Sequence, residues 1–369
     1  MRSTMRAAVV NAIGAGFDIE DIEIDVPLGR EVLVEVKAVG LCHSDLHFAE
    51  HDFGNPLPAV LGHELAGVVA AVGPEVSEVL IGQRVVGSLV RWCGTCENCT
   101  NDLSYRCTQR HTLVRAAGDA PRLRRADGTA VTAAMGTAAF AEYALIHENQ
   151  LVVVPEALPF AQAALLGCST ITGAGAVLNT ATVSPGDSVA VIGCGGVGLN
   201  VLSGALLAQA GTIIAIDTQP AKLELAREFG ATHVVDASQG DPVQAVREIT
   251  GGGAKHVFEV VGIEATTLQA VRMTATGGTA YLVGLHRPGS TTTLDMMADV
   301  LAPQRTIVGV YMGSADIRVD IPRYAELYLD GELNLDSLIS RQIKLSEIND
   351  GFDEMRRGSA ARSVITAWD

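Results

Sequence analysis

Four cysteines in the first third of the chain have the spacing of a closed metal site. Cys93, Cys96, Cys99 and Cys107 lie within a 15-residue segment. Tetrahedral zinc takes four thiolates at about 2.3 Å, and a C-x-x-C spacing lets a turn fold back on the ion. A redox pair is the weaker explanation, because redox C-x-x-C motifs do not overlap as triplets with a fourth partner. We predict a structural zinc ion that holds a small lobe in shape.

Three residues that are far apart in the sequence are candidates for a second metal site. Cys42, His63 and Cys168 supply two thiolates and one imidazole. A zinc ion with three protein ligands keeps a fourth position open for water or substrate, as in catalytic sites. Each residue alone has a plainer interpretation, since a single cysteine is most often a small buried hydrophobe. Together, the two groups use six of the seven cysteines of the chain.

A glycine-rich segment, Gly193-Cys-Gly-Gly-Val-Gly198, fits the pattern G-x-G-x-x-G. It follows a predicted strand and begins a predicted helix. Its glycines therefore permit a tight turn and a close approach of the backbone to a pyrophosphate at the helix N-terminus. The alternative is a glycine turn that serves packing alone. We predict coenzyme contacts from five residues of this loop: Gly193, Gly195, Gly196, Val197 and Gly198.

An acidic residue, Asp217, ends the next predicted strand, 19 residues after Gly198. A carboxylate at this position accepts hydrogen bonds from the ribose hydroxyl groups of a dinucleotide. The same carboxylate repels a 2′-phosphate, so the pattern favours NAD over NADP.

The elements that carry these residues change character along the chain. Over residues 31–39, valines alternate with charged residues, which is the period of a half-buried strand, and the first third continues in this β-rich style. From about residue 170, apolar strands alternate with helices. The predicted strands of this part are 188–193, 212–217, 233–236, 255–261, 279–285 and 305–311. Such alternation indicates a parallel sheet with helices on both faces.

Two motifs, Gly40-Leu-Cys-His-Ser-Asp45 and Gly62-His-Glu-Leu-Ala-Gly67, complete a pattern that covers nearly the whole chain. With the four-cysteine loop and the glycine-rich segment, the chain resembles the zinc-containing alcohol dehydrogenases of the medium-chain dehydrogenase/reductase superfamily. The resemblance implies an α/β protein with a Rossmann-type doubly wound parallel sheet and a β-rich, GroES-like catalytic domain that carries a structural zinc lobe. It implies a catalytic domain at 1–169 and 311–369 and an NAD-binding Rossmann domain at 170–310.

The implied activity is reversible hydride transfer between a primary or secondary alcohol, medium-chain or aromatic, and NAD, with two zinc ions per subunit. The implied ligands of the catalytic zinc are Cys42, His63 and Cys168. By the same resemblance, Glu64 can approach this zinc, and Asp45 orients the histidine ligand. Ser44 would take the alcohol proton, and His47 would pass it to solvent through the coenzyme ribose.

Further coenzyme contacts that the resemblance implies are His43, Lys222, Val283, Leu285 and Arg362. Lys222 would contact the ribose and Arg362 the pyrophosphate. His43 stands where many relatives carry arginine. An imidazole is mostly neutral at pH 7 and lacks a bidentate fork, so we expect weaker coenzyme binding and faster release.

Apolar side chains are predicted to line the substrate cleft: Phe53, Leu57, Leu89, Phe140 and Leu285. The alternative is that some of them pack the core. Related glutathione-dependent formaldehyde dehydrogenases hold their thiol adduct with acidic residues and an arginine. Phe53 and Asn55 occupy the acidic positions in this chain, and His111 occupies the arginine position. This subclass is therefore not favoured.

A local excess of arginine lies between residues 110 and 125, in a chain whose formal net charge is −16. Its members are Arg110, Arg115, Arg122, Arg124 and Arg125. The simpler interpretation is a solvated loop or a subunit contact. The alternative is a collar for an anionic substrate or thiol cofactor.

The composition of the chain limits the classes of partner and the cellular compartment that we expect for it. The acidic balance argues against nucleic-acid partners and anionic membranes, because both require a basic surface. The chain length and the odd number of cysteines argue against a disulfide framework, and the N-terminal residues lead into a strand, so we expect a cytoplasmic protein. An apolar stretch at 157–221 is broken by prolines and glycines, which favours buried strands and helices over a membrane span.

A homodimer through the strand near 305–311, or a homotetramer, is the expected assembly.

Three alternatives to the main prediction stay open. The first is a formaldehyde dehydrogenase that uses another thiol. The second is a dehydrogenase that keeps its nicotinamide coenzyme bound and needs an external electron acceptor. The third is a non-catalytic protein that binds NAD and zinc. Such a protein is expected to lose a zinc ligand or the Ser44–His47 pair, and this chain retains them all.

Overall fold

A computed structural model describes residues 3–116, 118–358 and 361–369. The strands of the first half are β1 Ser3–Val10, β2 Asp18–Ile24, β3 Glu31–Gly40, β4 Ala59–Val60, β5 Glu64–Val72, β6 Arg84–Gly87, β7 Leu123–Arg124, β8 Ala130–Ala133, β9 Tyr143–His147 and β10 Leu151–Val153. Those of the second half are β11 Ser188–Ile192, β12 Thr212–Asp217, β13 His233–Asp236, β14 Ala254–Glu259, β15 Thr274–Leu282, β16 Thr306–Gly309, β17 Arg341–Lys344 and β18 Ser363–Ala367. The α-helices are α1 His43–Glu50, α2 Glu97–Thr100, α3 Phe160–Leu165, α4 Ile171–Gly175, α5 Gly196–Leu207, α6 Pro220–Glu228, α7 Pro242–Thr250, α8 Glu264–Met273, α9 Ile317–Leu329 and α10 Ile348–Arg356.

The chain divides into two compact units. The first comprises residues 1–168, 316–331 and 339–369, and the second comprises 169–315 and 332–338. The sequence did not predict that residues 332–338 belong to the second unit. The assignment of catalysis to the first unit and NAD binding to the second stays a prediction.

The second unit contains the predicted parallel sheet. Its strand order is β13-β12-β11-β14-β15-β16, and every neighbouring pair is parallel. This is a doubly wound Rossmann sheet, in which the order reverses between β11 and β14 and opens a crevice at the carboxyl ends of the strands. The strands predicted at 212–217 and 233–236 are confirmed at their exact limits. β15 begins five residues before its predicted start.

The first unit is β-rich, as predicted for a GroES-like domain. Strands β1, β2, β7, β8 and β4 close a small barrel, and a seven-stranded sheet runs in the order β10-β6-β5-β3-β18-β17, with β9 also paired to β3. Chain segments from both ends of the sequence meet in this sheet, since Val364 of β18 lies opposite Gly40 of β3.

Three phenylalanines pack against one another in the core of the first unit, and one of them is a predicted cleft residue. Phe140 is fully buried, with its ring 5.8 Å from that of Phe17 and 6.0 Å from that of Phe352. Phe140 therefore packs in the core of this unit, and its contact with a substrate stays a prediction. Its backbone N–H donates to the carbonyl of Leu61, which fixes the residue on the core side.

One helical run, Phe160–Ala181, is long and apolar enough to cross a membrane. It joins α3 and α4 through π-helical turns at Leu166–Thr170 and Ala176–Ala181. Inside this protein, 89% of its most apolar window is buried, as in the core helix of a folded domain. Glycine occurs along the run where other backbone comes close: a Cβ on Gly167 would lie 2.2 Å from the carbonyl oxygen of Gly87.

Candidate active site and metal centres

Three elements of the first unit bring the predicted catalytic ligands together. Cys42 precedes α1 just after β3, His63 precedes β5, and Cys168 lies in the π-helical turn Leu166–Thr170. Pairing of β3 with β5 places Gly40 opposite Glu64, so the first two ligands emerge at the same end of the sheet. The ligand atoms of Cys42, His63, Glu64 and Cys168 all lie within 4.8 Å of one another, and all four residues are buried.

The histidine of this cluster is held in one orientation by a buried carboxylate. Asp45 Oδ1 lies 3.0 Å from His63 Nδ1 and also accepts the backbone N–H of Gly62 at 3.0 Å. The neutral imidazole then carries its proton on Nδ1. His63 Nε2 is buried and has no hydrogen-bond partner among the described residues, so its lone pair is free for a metal ion. Burial raises the pKa of Asp45, although the neighbouring imidazole opposes the shift.

A buried ion pair borders the cluster. Glu64 is fully buried, and its Oε1 lies 3.2 Å from the guanidinium of Arg362, which is only 3% exposed. The same guanidinium donates to the carbonyl of Leu41 at 2.8 Å. Burial raises the pKa of Glu64 to about 8, and Arg362 opposes that shift. The sequence did not predict these partners for Arg362, and its contact with a pyrophosphate stays a prediction.

The donor set fits a zinc ion. It combines two thiol sulfurs, one imidazole nitrogen with a free lone pair and a carboxylate that can approach, which are ligand types that zinc prefers. The hydrogen bond with Cys168 lowers the pKa of Cys42, while the same contact and burial raise that of Cys168. A divalent ion at this place would favour the thiolate form of both cysteines.

The four-cysteine loop forms a second cluster of ligand atoms. The sulfurs of Cys93, Cys96, Cys99 and Cys107 all lie within 4.8 Å of one another. The separations of Cys96 from Cys99 and of Cys96 from Cys107 are 3.5 and 3.9 Å, close to the edge of about 3.8 Å in a tetrahedron of thiolates 2.3 Å from zinc. Backbone N–H groups of Cys96 and Cys93 point at the sulfurs of Cys93 and Cys107, respectively. This arrangement suits four thiolates on one closed zinc site.

The predicted proton-relay residues lie on α1, next to the metal cluster. Ser44 Oγ is 3.6 Å from Cys42 Sγ, and both Ser44 and His47 are half-buried. The ring of His47 lies 6.0 Å from that of His51, one turn further along. His43, at the first position of the helix, is exposed.

The glycine-rich loop lies at the carboxyl end of β11 and leads into α5. Gly193 has φ +99°, and a Cβ on Gly198 would lie 1.8 Å from its carbonyl oxygen, so both positions require glycine. Gly195 has open space where its side chain would be, and Gly196 begins α5. Val197 is half-buried. This is the open helix N-terminus that a pyrophosphate needs.

Asp217 ends β12 beside the glycine-rich loop. Its carboxylate accepts the backbone N–H groups of Cys194 and Thr218 at 2.8 Å and of Gln219 at 3.0 Å. The side chain is therefore fixed at the strand end, where the sequence predicts a ribose contact. Of the remaining predicted coenzyme residues in this unit, Lys222 and Val283 are half-buried and Leu285 is 38% exposed.

The other predicted cleft residues of the first unit have different surroundings. Phe53 packs on Phe48, with ring centres 4.6 Å apart, and Leu57 is partly buried against the main core. Leu89 is half-buried, two residues after the end of β6. None of these three is fully enclosed, so each retains surface that a substrate can contact.

Ion pairs with neighbouring carboxylates involve Arg115, Arg122, Arg124 and Arg125 of the arginine-rich segment. Arg115 and Arg122 both bind Glu31, and Arg115 also binds Asp25. Arg124 and Arg125 pair with Glu23 and Glu20 of β2. These pairs explain the local excess of positive charge, and they favour a structural role over a collar for an anionic substrate.

Comparison with known proteins agrees with this geometry. Residues 29–156 match the alcohol dehydrogenase GroES-like domain, and residues 196–329 match the zinc-binding dehydrogenase family. An NDMA-dependent alcohol dehydrogenase of Amycolatopsis methanolica is 36% identical over 98% of each chain. An S-(hydroxymethyl)glutathione dehydrogenase of Photobacterium damsela subsp. piscicida is 38% identical over 98% of this chain and 99% of its own. The crystal structure of benzyl alcohol dehydrogenase from Acinetobacter calcoaceticus superposes with a TM-score of 0.91 at 35% identity, over 99% of both chains.

The chain belongs to the zinc-containing alcohol dehydrogenases of the medium-chain dehydrogenase/reductase superfamily.

This dehydrogenase is therefore an NAD-dependent oxidoreductase that acts on a CH–OH group and uses zinc. Its two clusters of ligand atoms correspond in number to the two zinc ions that the sequence predicts. The roles of individual residues in these sites stay predictions.

Two residues that support the site were not identified from the sequence. Gly167 allows the helical run to reach β6, which places the next residue, Cys168, in the metal cluster. Glu259 is a fully buried carboxylate at the end of β14. The sequence did contain a signal for Glu259, because a charged residue ends the apolar strand segment His-Val-Phe-Glu. A buried charge requires its own set of hydrogen-bond partners.

Proposed function

We propose that this dehydrogenase oxidises primary or secondary alcohols with an aromatic or medium-length apolar group, in the cytoplasm, with NAD as the hydride acceptor. The observation that carries the proposal is the buried cluster of Cys42, His63, Glu64 and Cys168, with Asp45 behind the histidine. Three apolar side chains of the same unit that keep free surface, Phe53, Leu57 and Leu89, support the choice of substrate. So does the likeness to benzyl alcohol dehydrogenase.

Cys42, His63 and Cys168 would hold the zinc ion, which would serve as a Lewis acid and lower the pKa of the substrate hydroxyl. NAD supplies the hydride acceptor. Asp45 keeps the His63 proton on Nδ1 and the ring in place. The buried pair of Glu64 and Arg362 adds a carboxylate that can approach the metal and a cation that limits the negative charge of two thiolates.

The alcohol proton leaves through the side chains of α1. Ser44 is the acceptor, because its hydroxyl can take one proton and give another. His47, three residues later on the same helix, passes the proton towards solvent, since its ordinary pKa lies near neutrality.

The closing experiment combines metal analysis with a substrate panel. We expect two zinc ions per wild-type chain and one in Cys42→Ala, with turnover of benzyl and medium-chain alcohols by the wild type only. Two zinc ions in Cys42→Ala would remove this cysteine from the metal site. No turnover of any alcohol by the fully loaded wild type would favour a non-catalytic NAD- and zinc-binding protein.

A second candidate is a dehydrogenase that keeps its coenzyme bound, and the NDMA-dependent relative supports it. The absorbance of the purified protein near the NADH band distinguishes this candidate from a dehydrogenase that exchanges NAD freely. Bound coenzyme, with no turnover of added NAD but turnover with an external electron acceptor, would favour this candidate. The thiol-dependent formaldehyde dehydrogenase is less favoured, because Phe53, Asn55 and His111 replace the charged residues that such enzymes use.

We also propose a homodimer that joins the sheets of two copies at β16. This edge strand is half-exposed or exposed along its length, and apolar side chains accumulate next to it. Met296, Met297 and Leu301 are 56%, 66% and 63% exposed. Light scattering should give twice the chain mass, and Leu301→Asp should reduce it to the chain mass.

A further inference from the structure

A buried carboxylate lies where the strand-end loops of the Rossmann sheet meet. Glu259 ends β14, the strand next to the point where the strand order reverses, and its side chain has no exposed surface. Burial of a carboxylate is costly unless it is hydrogen-bonded, so its partners identify what the residue holds.

The side chain of Glu259 binds the loop that follows its own strand. Oε1 accepts the backbone N–H groups of Val261 and Gly262 and the hydroxyl of Thr266, each at 2.8 Å. One oxygen therefore fixes both the strand-to-helix turn and the first turn of α8. Oε2 has no hydrogen-bond partner among the described residues, and His286 Nε2 lies 3.9 Å from it.

The backbone of the same residue binds the loop after β15. The carbonyl of Glu259 accepts the N–H groups of Val283 at 2.8 Å and Gly284 at 3.0 Å. Val283 is a predicted coenzyme contact, as is Leu285, two residues later.

The loop that Glu259 holds also touches the two other predicted coenzyme segments. A Cβ on Gly193 would lie 2.8 Å from Val261, and a Cβ on Gly262 would lie 2.6 Å from the carbonyl of Leu285. The turn at 261–262 is thus packed between the glycine-rich loop and the loop at 283–285. A shift of this turn must move one or both, because no free space separates them.

We propose that Glu259 is a positioning residue for NAD, which sets the spacing between the glycine-rich loop and the loop at 283–285. The inference rests on the proposed coenzyme site. Thr266 assists by donating to the same oxygen, and His286 supplies the polar group that faces the other one. Neither Glu259 nor Thr266 needs to contact the coenzyme for this role.

The test compares NADH binding by the wild type and by variants of the full-length, zinc-loaded enzyme. Glu259→Ala removes the acceptor, and we expect the NADH dissociation constant and the KM for NAD to rise about tenfold, with kcat at saturating NAD within about twofold of wild type. Glu259→Gln keeps an acceptor oxygen and should restore binding to within about threefold of wild type. Hydrogen exchange of the coenzyme-free protein should be faster at Val261 and Gly262 in the alanine variant only.

A matched control lies at the opposite end of the same sheet. Asp187 precedes β11 and also binds three donors: the backbone N–H of Ser184, Lys255 Nζ and His256 Nε2. Asp187→Ala should lower the melting temperature and leave the NADH dissociation constant unchanged.

The inference would be overturned if the NADH dissociation constant of Glu259→Ala were less than threefold above that of the wild type. It would also be overturned if Asp187→Ala weakened NADH binding as much as Glu259→Ala does. If Glu259→Ala does not fold, Glu259→Asp is tested against the same threefold limit in the NADH dissociation constant. This variant keeps the negative charge but moves the carboxylate oxygens away from their partners. If the wild-type protein neither binds added NADH nor carries bound NADH after purification, the result contradicts the proposed coenzyme site rather than the role of Glu259.

Discussion

At the scale of single residues, the catalytic cluster depends on a carboxylate that does not itself need to bind the metal. Asp45 is fully buried and is shared between the ring of His63 and the backbone of Gly62. We expect Asp45→Asn to lower catalytic zinc affinity or kcat/KM by about 10–100-fold, because the histidine loses a charged partner. Zinc per chain and kcat/KM measure the effect. Asp52→Asn, at an exposed carboxylate that accepts the N–H of Gly54, is the control. Equal activity in both variants would contradict the role of Asp45.

A second residue-scale prediction concerns pH. Burial, reinforced by Arg30, lowers the pKa of His147 to about 4, below its ordinary value of 6.5. The unfolded chain then binds more protons than the folded chain between these values, so stability is lost as the pH falls from about 6.5 to 4. Because a glutamine oxygen can still accept the N–H of Asn149, His147→Gln should lose less stability over this range. Urea unfolding at pH 7.5 and pH 4.5 checks this, and equal losses in both proteins would count against it.

Residue chemistry was the part that the sequence predicted best. Ligand type and spacing identified the four-cysteine cluster, because zinc chemistry restricts it strongly, whereas the family resemblance was needed to assign Cys42, His63 and Cys168. Side-chain direction was not predictable. Phe140 matched a general expectation for an apolar cleft, yet its place opposite Phe17 and Phe352 depends on how distant strands close around it.

At the scale of elements, one glycine controls where a ligand lies. Gly167 lets the helical run come against β6, and a Cβ would meet the carbonyl of Gly87 at 2.2 Å. We expect Gly167→Ala to displace Cys168 and reduce zinc from two ions to one per chain, while the four-cysteine lobe keeps its ion. Metal analysis of the purified variant measures this. Gly240→Ala, at a position with nothing within 4 Å, should retain both, and full zinc in Gly167→Ala would show that the helix adapts.

The arginine-rich segment is held to β3 by buried ion pairs and to β2 by partly exposed ones. Glu31 is 4% exposed and accepts from Arg115 and Arg122. In Glu31→Gln, two largely buried guanidinium groups lose this negatively charged partner. We therefore expect the free energy of unfolding to fall by about 3–5 kcal/mol. Asp369→Asn, which breaks an exposed pair with Lys344, should leave the free energy of unfolding almost unchanged. Urea unfolding measures both, and similar small losses would contradict the difference.

At the scale of the whole molecule, the alternation of strands and helices predicted the parallel sheet, and residues 212–217 and 233–236 were placed correctly. Local sequence carries this information, since central strands such as β11 and β12 are continuous apolar runs buried on both faces. The assignment of residues 332–338 to the second unit was not predicted. Contacts between segments that are distant in the sequence determine it, and no local pattern reports them. The same holds for Glu259, whose partners at 261–266 and 283–284 meet only in the folded sheet.

None of the seven cysteines forms a disulfide, and six of them belong to the two clusters. Sulfurs 3.5 to 3.9 Å apart, as in the four-cysteine lobe, are protected from oxidation only while they share an ion. Four bare thiols can pair in three ways. Chelating buffers in air would therefore convert a uniform preparation into cross-linked isomers that added metal does not repair, so a reductant compatible with zinc belongs in every purification step.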